Sequence, residues 1–166
     1  MLFSKFKYFH CINDDLLNCG LTCLKMVADF HGKKYSLNSL KENCQVQISD
    51  FCLESISEVA EKMGFRATTM KLSHGQLEEI HLPAILQWNQ EHFVVIYAHK
   101  VSFWSFLPWV SKEKQTYIAD PNSGLSRLDK KTFLTNWLDK NSWKGSILSL
   151  QPEEAFYKIK PFSHGN

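Results

Sequence analysis

Up to Gly64 the apolar residues recur every three to four positions, and from Phe65 they alternate or run together, so the pattern predicts helices first and a sheet second. The first helix is expected over about Asn18 to His31, with Asn18 as its N-cap and Leu21, Leu24, Val27 and Ala28 on its apolar face. Gly32 suits the left-handed residue just past its C-terminus, and His31 is expected to favour the negative end of its dipole. Ser36 caps a short helix over Leu37–Asn43, and Ser49-Asp50 caps a longer one whose buried stripe is Leu53, Ile56, Val59, Ala60 and Met63. Ahead of these, Phe3, Phe6, Tyr8 and Phe9 among lysines read as a short extended lead-in to the core.

In the second half, Phe65 to Leu72 reads as a strand, and Ser73 caps a short helical turn reaching Ile80. Pro83 to Trp88 and His92 to Tyr97, joined by Asn89-Gln90-Glu91, form a hairpin whose second strand is apolar on both faces and therefore central. Val101 to Val110 is aromatic and broken by proline, and with polar Ser111 to Gln115 it suggests an elongated loop or splayed hairpin. If exposed together, Phe103, Trp104, Phe106 and Trp109 would make an adhesive patch for a peptide or another domain. Tyr117-Ile118-Ala119 is a short strand stopped by the turn signal Asp120-Pro121-Asn122-Ser123-Gly124. Asp129 caps a helix through Trp137, with Phe133, Leu134 and Trp137 inward, and Gly145 to Leu150 supplies a last strand. Beyond Gln151-Pro152 the pattern fades into a polar, partly aromatic linker without its own core. The fold class is therefore α+β: an N-terminal helical half packed on an antiparallel sheet.

Composition narrows this further. With 166 residues, 44% hydrophobic and 13% aromatic, the chain can bury one proper core. The 19 basic and 17 acidic residues are interspersed, which leaves no nucleic-acid footprint. Five cysteines without a paired CxxC, and a start lacking the long apolar segment of a signal peptide, predict reduced thiols in a cytosolic compartment. No run reaches the roughly 18 to 20 apolar residues of a membrane span. Cys23, Cys44 and Cys52 read as packing residues, since two cysteines on one helix do not make a tetrahedral metal site unaided.

Cys19 falls on the first turn of the first helix, where the dipole lowers a thiol pKa and favours a nucleophile; a small buried apolar cysteine is the plainer alternative. His92 heads a buried strand beside a tight turn, where a rigid element can hold a side chain at a cleft edge, unless it is a solvent-exposed turn histidine. Asp120 ends the next strand. A thiol, then an imidazole, then an acid, in that order, is what papain-like cysteine catalysis needs: the imidazole takes the thiol proton and later protonates the leaving amine, and the acid fixes its tautomer.

These residues resemble the bacteriocin-processing, double-glycine-leader cysteine peptidases found as N-terminal domains of peptidase-containing ABC transporters. Asn18-Cys19-Gly20-Leu21-Thr22-Cys23-Leu24 fits the segment around the family's nucleophile. Leu82 to Val95 fits its histidine segment, and Ile118-Ala119-Asp120-Pro121-Asn122-Ser123-Gly124 its aspartate segment. The resemblance covers most of residues 8–150, with 151–166 as a linker toward a transporter membrane domain.

The resemblance implies a papain-like domain with Cys19 as nucleophile, His92 as general base and acid, Asp120 orienting His92, and Gly20 shaping the helix start. Asn13, where the family usually carries glutamine, would join the Cys19 backbone N–H in holding the oxyanion, with a reach one methylene shorter; loss of such a donor costs about a hundredfold or more. A second departure is the 28-position separation of His92 and Asp120, which includes the aromatic stretch. Trp88 would wall a narrow tunnel that excludes side chains at the last two leader positions. The implied partners are a precursor peptide with a double-glycine leader and the transmembrane and nucleotide-binding domains of an ABC transporter, at the cytoplasmic face of a bacterial membrane. No cofactor is implied in this domain. The alternatives are a non-catalytic module that holds export substrates at the transporter, and a thiol redox protein using Cys19 and Cys23.

Overall fold

A computed structural model describes residues 16–43, 52–90, 92–101 and 114–161. Three helices come first, α1 (Leu16–Phe30), α2 (Leu37–Asn43) and α3 (Leu53–Lys62). Then come β1 (Phe65–Leu72), α4 (His74–Leu77), β2 (Ala84–Trp88), β3 (His92–Val101), β4 (Lys114–Asp120), β5 (Gly124–Leu128), α5 (Lys130–Trp137), β6 (Gly145–Pro152) and α6 (Glu154–Lys158). The strands form one sheet in the order β1-β6-β2-β3-β4-β5, every neighbouring pair antiparallel.

Strand alternation builds two cores from one sheet. Ile85, Phe93, Val95, Ala119 and Leu148 pack with α1 and α3, while Leu86, Val94, Ile96, Ile118 and Ile147 pack on the other face with Phe133 and Trp137 of α5. Successive residues of a strand point to opposite faces, so a central strand covered on both sides must be apolar throughout. The segment 93–97 is buried at every position, as its sequence predicts, and Ala98 beyond it is buried as well.

The helix α1 is more deeply enclosed than an amphipathic stripe implies: Asn18 through Leu24 are all buried. It also begins at Leu16, so Asn18 is its third residue rather than its N-cap. Its C-terminus follows expectation. Gly32, at φ +89, lets the Gly32 N–H reach the Asp29 carbonyl (2.9 Å) and the Lys33 N–H reach the Ala28 carbonyl (3.0 Å), which satisfies carbonyls otherwise left open. His31 does not serve the helix dipole. Its ring sits edge-on among Phe30, Phe65 and Phe156, and burial lowers its pKa, favouring the neutral form.

Ser36 caps α2 through a 3.0 Å bond from the Ser39 N–H, and Asp129 caps α5 through a 2.9 Å bond from Thr132. The cap of α3 is Cys52, which is exposed rather than packed, its N–H donating to Ser55 Oγ at 3.4 Å. Ser49-Asp50, Cys44, the N-terminal lead-in and the aromatic segment 102–113 lie outside the described residues. The flanks of that segment are the two strands of a hairpin: β3 runs on to Val101, and Lys114-Gln115 already belong to β4. The edge strand β5 has no counterpart in the sequence reading, because its burial alternates weakly and it follows directly on a turn.

Residues 151–161 differ most from expectation. The β1–β6 ladder, from Phe65↔Pro152 to Leu72↔Gly145, returns the chain to α3, and Phe156 inserts there, fully buried, with its ring centroid 4.3 Å from that of Phe65. Gly64 makes room for it. At φ +91, with the Phe156 backbone nitrogen 2.3 Å from where a Cβ would stand, that position admits neither a side chain nor an ordinary backbone. The segment is thus docked on the core rather than free of it. Phe156→Ala is expected to cost about 3–5 kcal/mol, read as a fall in the urea midpoint of unfolding.

Candidate active site

Two elements present the candidate nucleophile and base. Cys19 is the fourth residue of α1, still within the first turn where the helix dipole is positive, and it is 1% exposed. One turn further on the same face, the Cys23 thiol donates to the carbonyl of Phe93 at 3.4 Å. Phe93 directly follows His92 on β3. This contact fixes α1 against the head of β3 and sets one turn of helix beside one residue of strand, which brings the Cys19 end of α1 to the His92 end of the sheet.

His92 and Asp120 lie at the same end of neighbouring antiparallel strands, the first at the start of β3 and the second at the end of β4. His92 Nε2 is 3.3 Å from Asp120 Oδ2. A neutral imidazole that donates from Nε2 carries its free lone pair on Nδ1, so this bond leaves Nδ1 as the basic atom.

The carboxylate of Asp120 also builds the turn behind it. Oδ1 accepts from the Asn122 N–H (2.9 Å) and Oδ2 from the Ser123 hydroxyl (2.7 Å), an Asx-turn that closes the connection between β4 and β5. Burial pushes the Asp120 carboxyl up, but the bonds from His92, Ser123 and the Asn122 backbone outweigh it and hold the group at about 2. It is therefore ionised throughout the neutral range.

The same turn reaches α1. The Cys19 thiol donates to Asn122 Oδ1 at 3.1 Å, across 103 positions of sequence. Cys19, His92 and Asp120 thus converge through residues 120–122. Asn122 is the member that sequence reasoning missed. It stood only as part of a turn signal, and nothing in the order Asp-Pro-Asn-Ser-Gly says which side chain folds back and which reaches out.

Of the other predicted site residues, Gly20 is buried inside α1. Trp88 stands directly opposite His92 in the β2–β3 ladder, yet only 6% of it is exposed and its ring packs against Phe133 at 5.7 Å. It backs the histidine from the core and offers little wall to a tunnel. Asn13 lies outside the described residues. Among the described residues no group of three or more His, Cys, Asp or Glu is arranged to hold a metal ion, and no helix is long and apolar enough to cross a membrane.

The low Asp120 pKa has a definite sign. The folded protein binds its proton less tightly than the unfolded chain, so the resulting stability is present above the usual carboxylate range and lost as pH falls through about 2. Compared with Asp120→Asn, the native chain should lose about 2 kcal/mol of its stability advantage between pH 6 and pH 2, measured by denaturant unfolding at each pH.

The chain is 33% identical over 82 residues to a probable microcin-H47 secretion/processing ATP-binding protein of Escherichia coli, a match covering 49% of this chain and 12% of that protein. The chain therefore spans only a small part of the length of that relative. Among solved structures it superposes on the peptidase domain of Streptococcus ComA, a bi-functional ABC transporter, with a TM-score of 0.69 and 23% identity, covering 89% of this chain and 99% of that one. A double glycine motif protease from an AMS/PCAT transporter, solved in complex with its leader peptide, gives a TM-score of 0.68 at 23% identity, covering 90% and 94%. The fold is that of these papain-like peptidase domains. The model of the Peptidase C39 family matches residues 6–155, nearly the whole chain, and the protein belongs to that family.

Proposed function

We propose that this domain is a cysteine endopeptidase that removes leader peptides after a Gly-Gly or Gly-Ala pair, ahead of export through an ABC transporter. Cys19 is the nucleophile, His92 the general base and acid, and Asp120 the group that orients and stabilises His92. The observation that carries this reading is the bond from His92 Nε2 to an ionised Asp120, on a turn that also holds the Cys19 sulfur.

The chemistry follows from that arrangement. His92 Nδ1 takes the Cys19 proton, and the thiolate adds to the carbonyl carbon of the last leader residue, the second of the pair. The oxyanion is stabilised by the Cys19 backbone N–H at the start of α1 and by the Asn13 side-chain amide. Collapse expels the amine, which takes the proton from His92, and leaves a thioester on Cys19. Water then attacks this thioester, with His92 as base, releasing the leader and restoring the thiol. No metal or cofactor enters any step. Glycine selectivity comes from a narrow passage over the sulfur that admits nothing larger than a methyl group at the last leader position and no Cβ at the one before it, with Trp88 supporting its histidine side from behind.

The names of the E. coli relative and of the transporter-derived neighbours support the larger setting. This domain would be the peptidase part of an exporter at the cytoplasmic face of a bacterial membrane, beside transmembrane and nucleotide-binding domains, with a bacteriocin or similar secreted peptide as cargo.

A synthetic double-glycine precursor incubated with the domain should yield leader and mature peptide with the cut after the second glycine, read by mass spectrometry. Cys19→Ala should lower turnover by more than about a thousandfold while leader binding and the unfolding midpoint stay close to those of the native chain. Intact precursor despite measurable binding by the native chain would make it a holding domain instead. Loss of cleavage in Cys23→Ala but not in Cys19→Ala would overturn the assignment of the nucleophile.

A further inference from the structure

Asn122 does something that its turn does not require. The turn is closed by the Asn122 backbone N–H and the Ser123 hydroxyl, both donated to Asp120, so the Asn122 side-chain amide is left over. That amide crosses to the first half of the chain and ends 3.1 Å from the Cys19 sulfur. A residue kept only for the turn has no reason to reach the sulfur of the candidate nucleophile.

We propose that the Asn122 amide is a fourth member of the catalytic site, holding the Cys19 sulfur in both of its protonation states. This rests on Cys19 being the nucleophile. In the resting thiol, S–H donates to Oδ1. Once the proton has passed to His92 Nδ1, the sulfur is a thiolate that can only accept, and the carbonyl oxygen of the amide would repel it. Half a turn about the last side-chain torsion puts Nδ2 where Oδ1 stood, and an N–H donor then faces the anion. Asn122 is exposed overall, so this rotation moves no core residue.

The two states are not equally served. A thiol is a weak donor, whereas a bond from an amide N–H to an anion is charge-assisted and roughly twice as strong as a neutral one. The amide therefore favours the thiolate and lowers the thiol pKa. His92 of β3 and Asp120 of β4, the titratable groups that meet this turn, are both retained in Asn122→Ala and Asn122→Asp. The backbone N–H that serves Asp120 is also present whatever the side chain, and Asn122 has no positive φ that a substitution would strain.

The test is site-resolved alkylation of Cys19 by iodoacetamide as a function of pH, with peptide mass spectrometry separating it from the other cysteines. Asn122→Ala should shift the midpoint of the Cys19 profile upward by about one pH unit, which is about a tenfold smaller thiolate fraction at neutral pH. Asn122→Asp, nearly isosteric but without the N–H donor and with a negative charge beside the sulfur, should shift it further. Cleavage by Asn122→Ala should be about tenfold slower at pH 7 and recover as pH rises past the new midpoint, a recovery that a merely structural loss would not produce. Superimposable alkylation profiles for the native chain and both variants, with unchanged unfolding midpoints, would overturn the proposal. A native profile at the ordinary thiol value that does not respond to His92→Ala would instead overturn the reading of Cys19 on which it rests.

Discussion

The Asp120 carboxylate is the joint on which the site depends. Its two oxygens accept three bonds: one from His92 on β3, one from the Ser123 hydroxyl and one from the Asn122 backbone. The last two fold the β4–β5 turn, and the first fixes the imidazole tautomer. A single ionised group thus shapes the loop, orients the His92 imidazole and, through that loop, carries an amide to the sulfur on α1. The carboxylate is mostly buried, and a charge in that position persists only because each oxygen is satisfied. Removing any one donor would therefore weaken more than a single contact.

A second constraint sets the distance between the halves. The helix α1 is buried on nearly all sides, so it cannot slide or roll without opening the core it shares with β3 and α3. The thiol of Cys23 adds direction to that packing by bonding to the carbonyl of Phe93. Cys19 and His92 are each a short, rigid step from this contact, one helical turn and one residue away. Reactive groups mounted on such elements are held to tighter geometry than groups on loops, and the loop contribution here is confined to a turn that Asp120 itself stiffens. The same core is closed at its other end by Phe156, so the chain that leaves the sheet after β6 is tied to the helices before it departs.

Much of this was legible in the order of residues. The apolar stripe of α3, the extents of β1 and α2, and the caps at Ser36 and Asp129 all follow from local rules, because each is decided within one turn or one strand. The two-faced apolarity of 93–97 likewise announced a central strand. Local signals failed where partners come from far away. His31 reads as a helix-end cation, yet Phe65 and Phe156 arrive to desolvate it. Cys52 reads as packing, yet it stands exposed at a cap. The tail reads as a linker because a five-residue helix with one buried phenylalanine is too short to show a period, and β5 escapes notice because an edge strand needs only half a pattern.

The sequence by itself determined the types of every element but β5 and α6, the central place of β3 and the three residue types that cysteine catalysis requires, since these rest on periodicity, capping and the chemistry of single side chains. Only the tertiary structure decided that Asp120 bonds Nε2 of His92, that Trp88 spends its surface on Phe133, and that Asn122 reaches Cys19 across 103 positions. Those contacts depend on the sheet order and on the angle at which α1 lies across it, and no pattern confined to neighbouring residues encodes either.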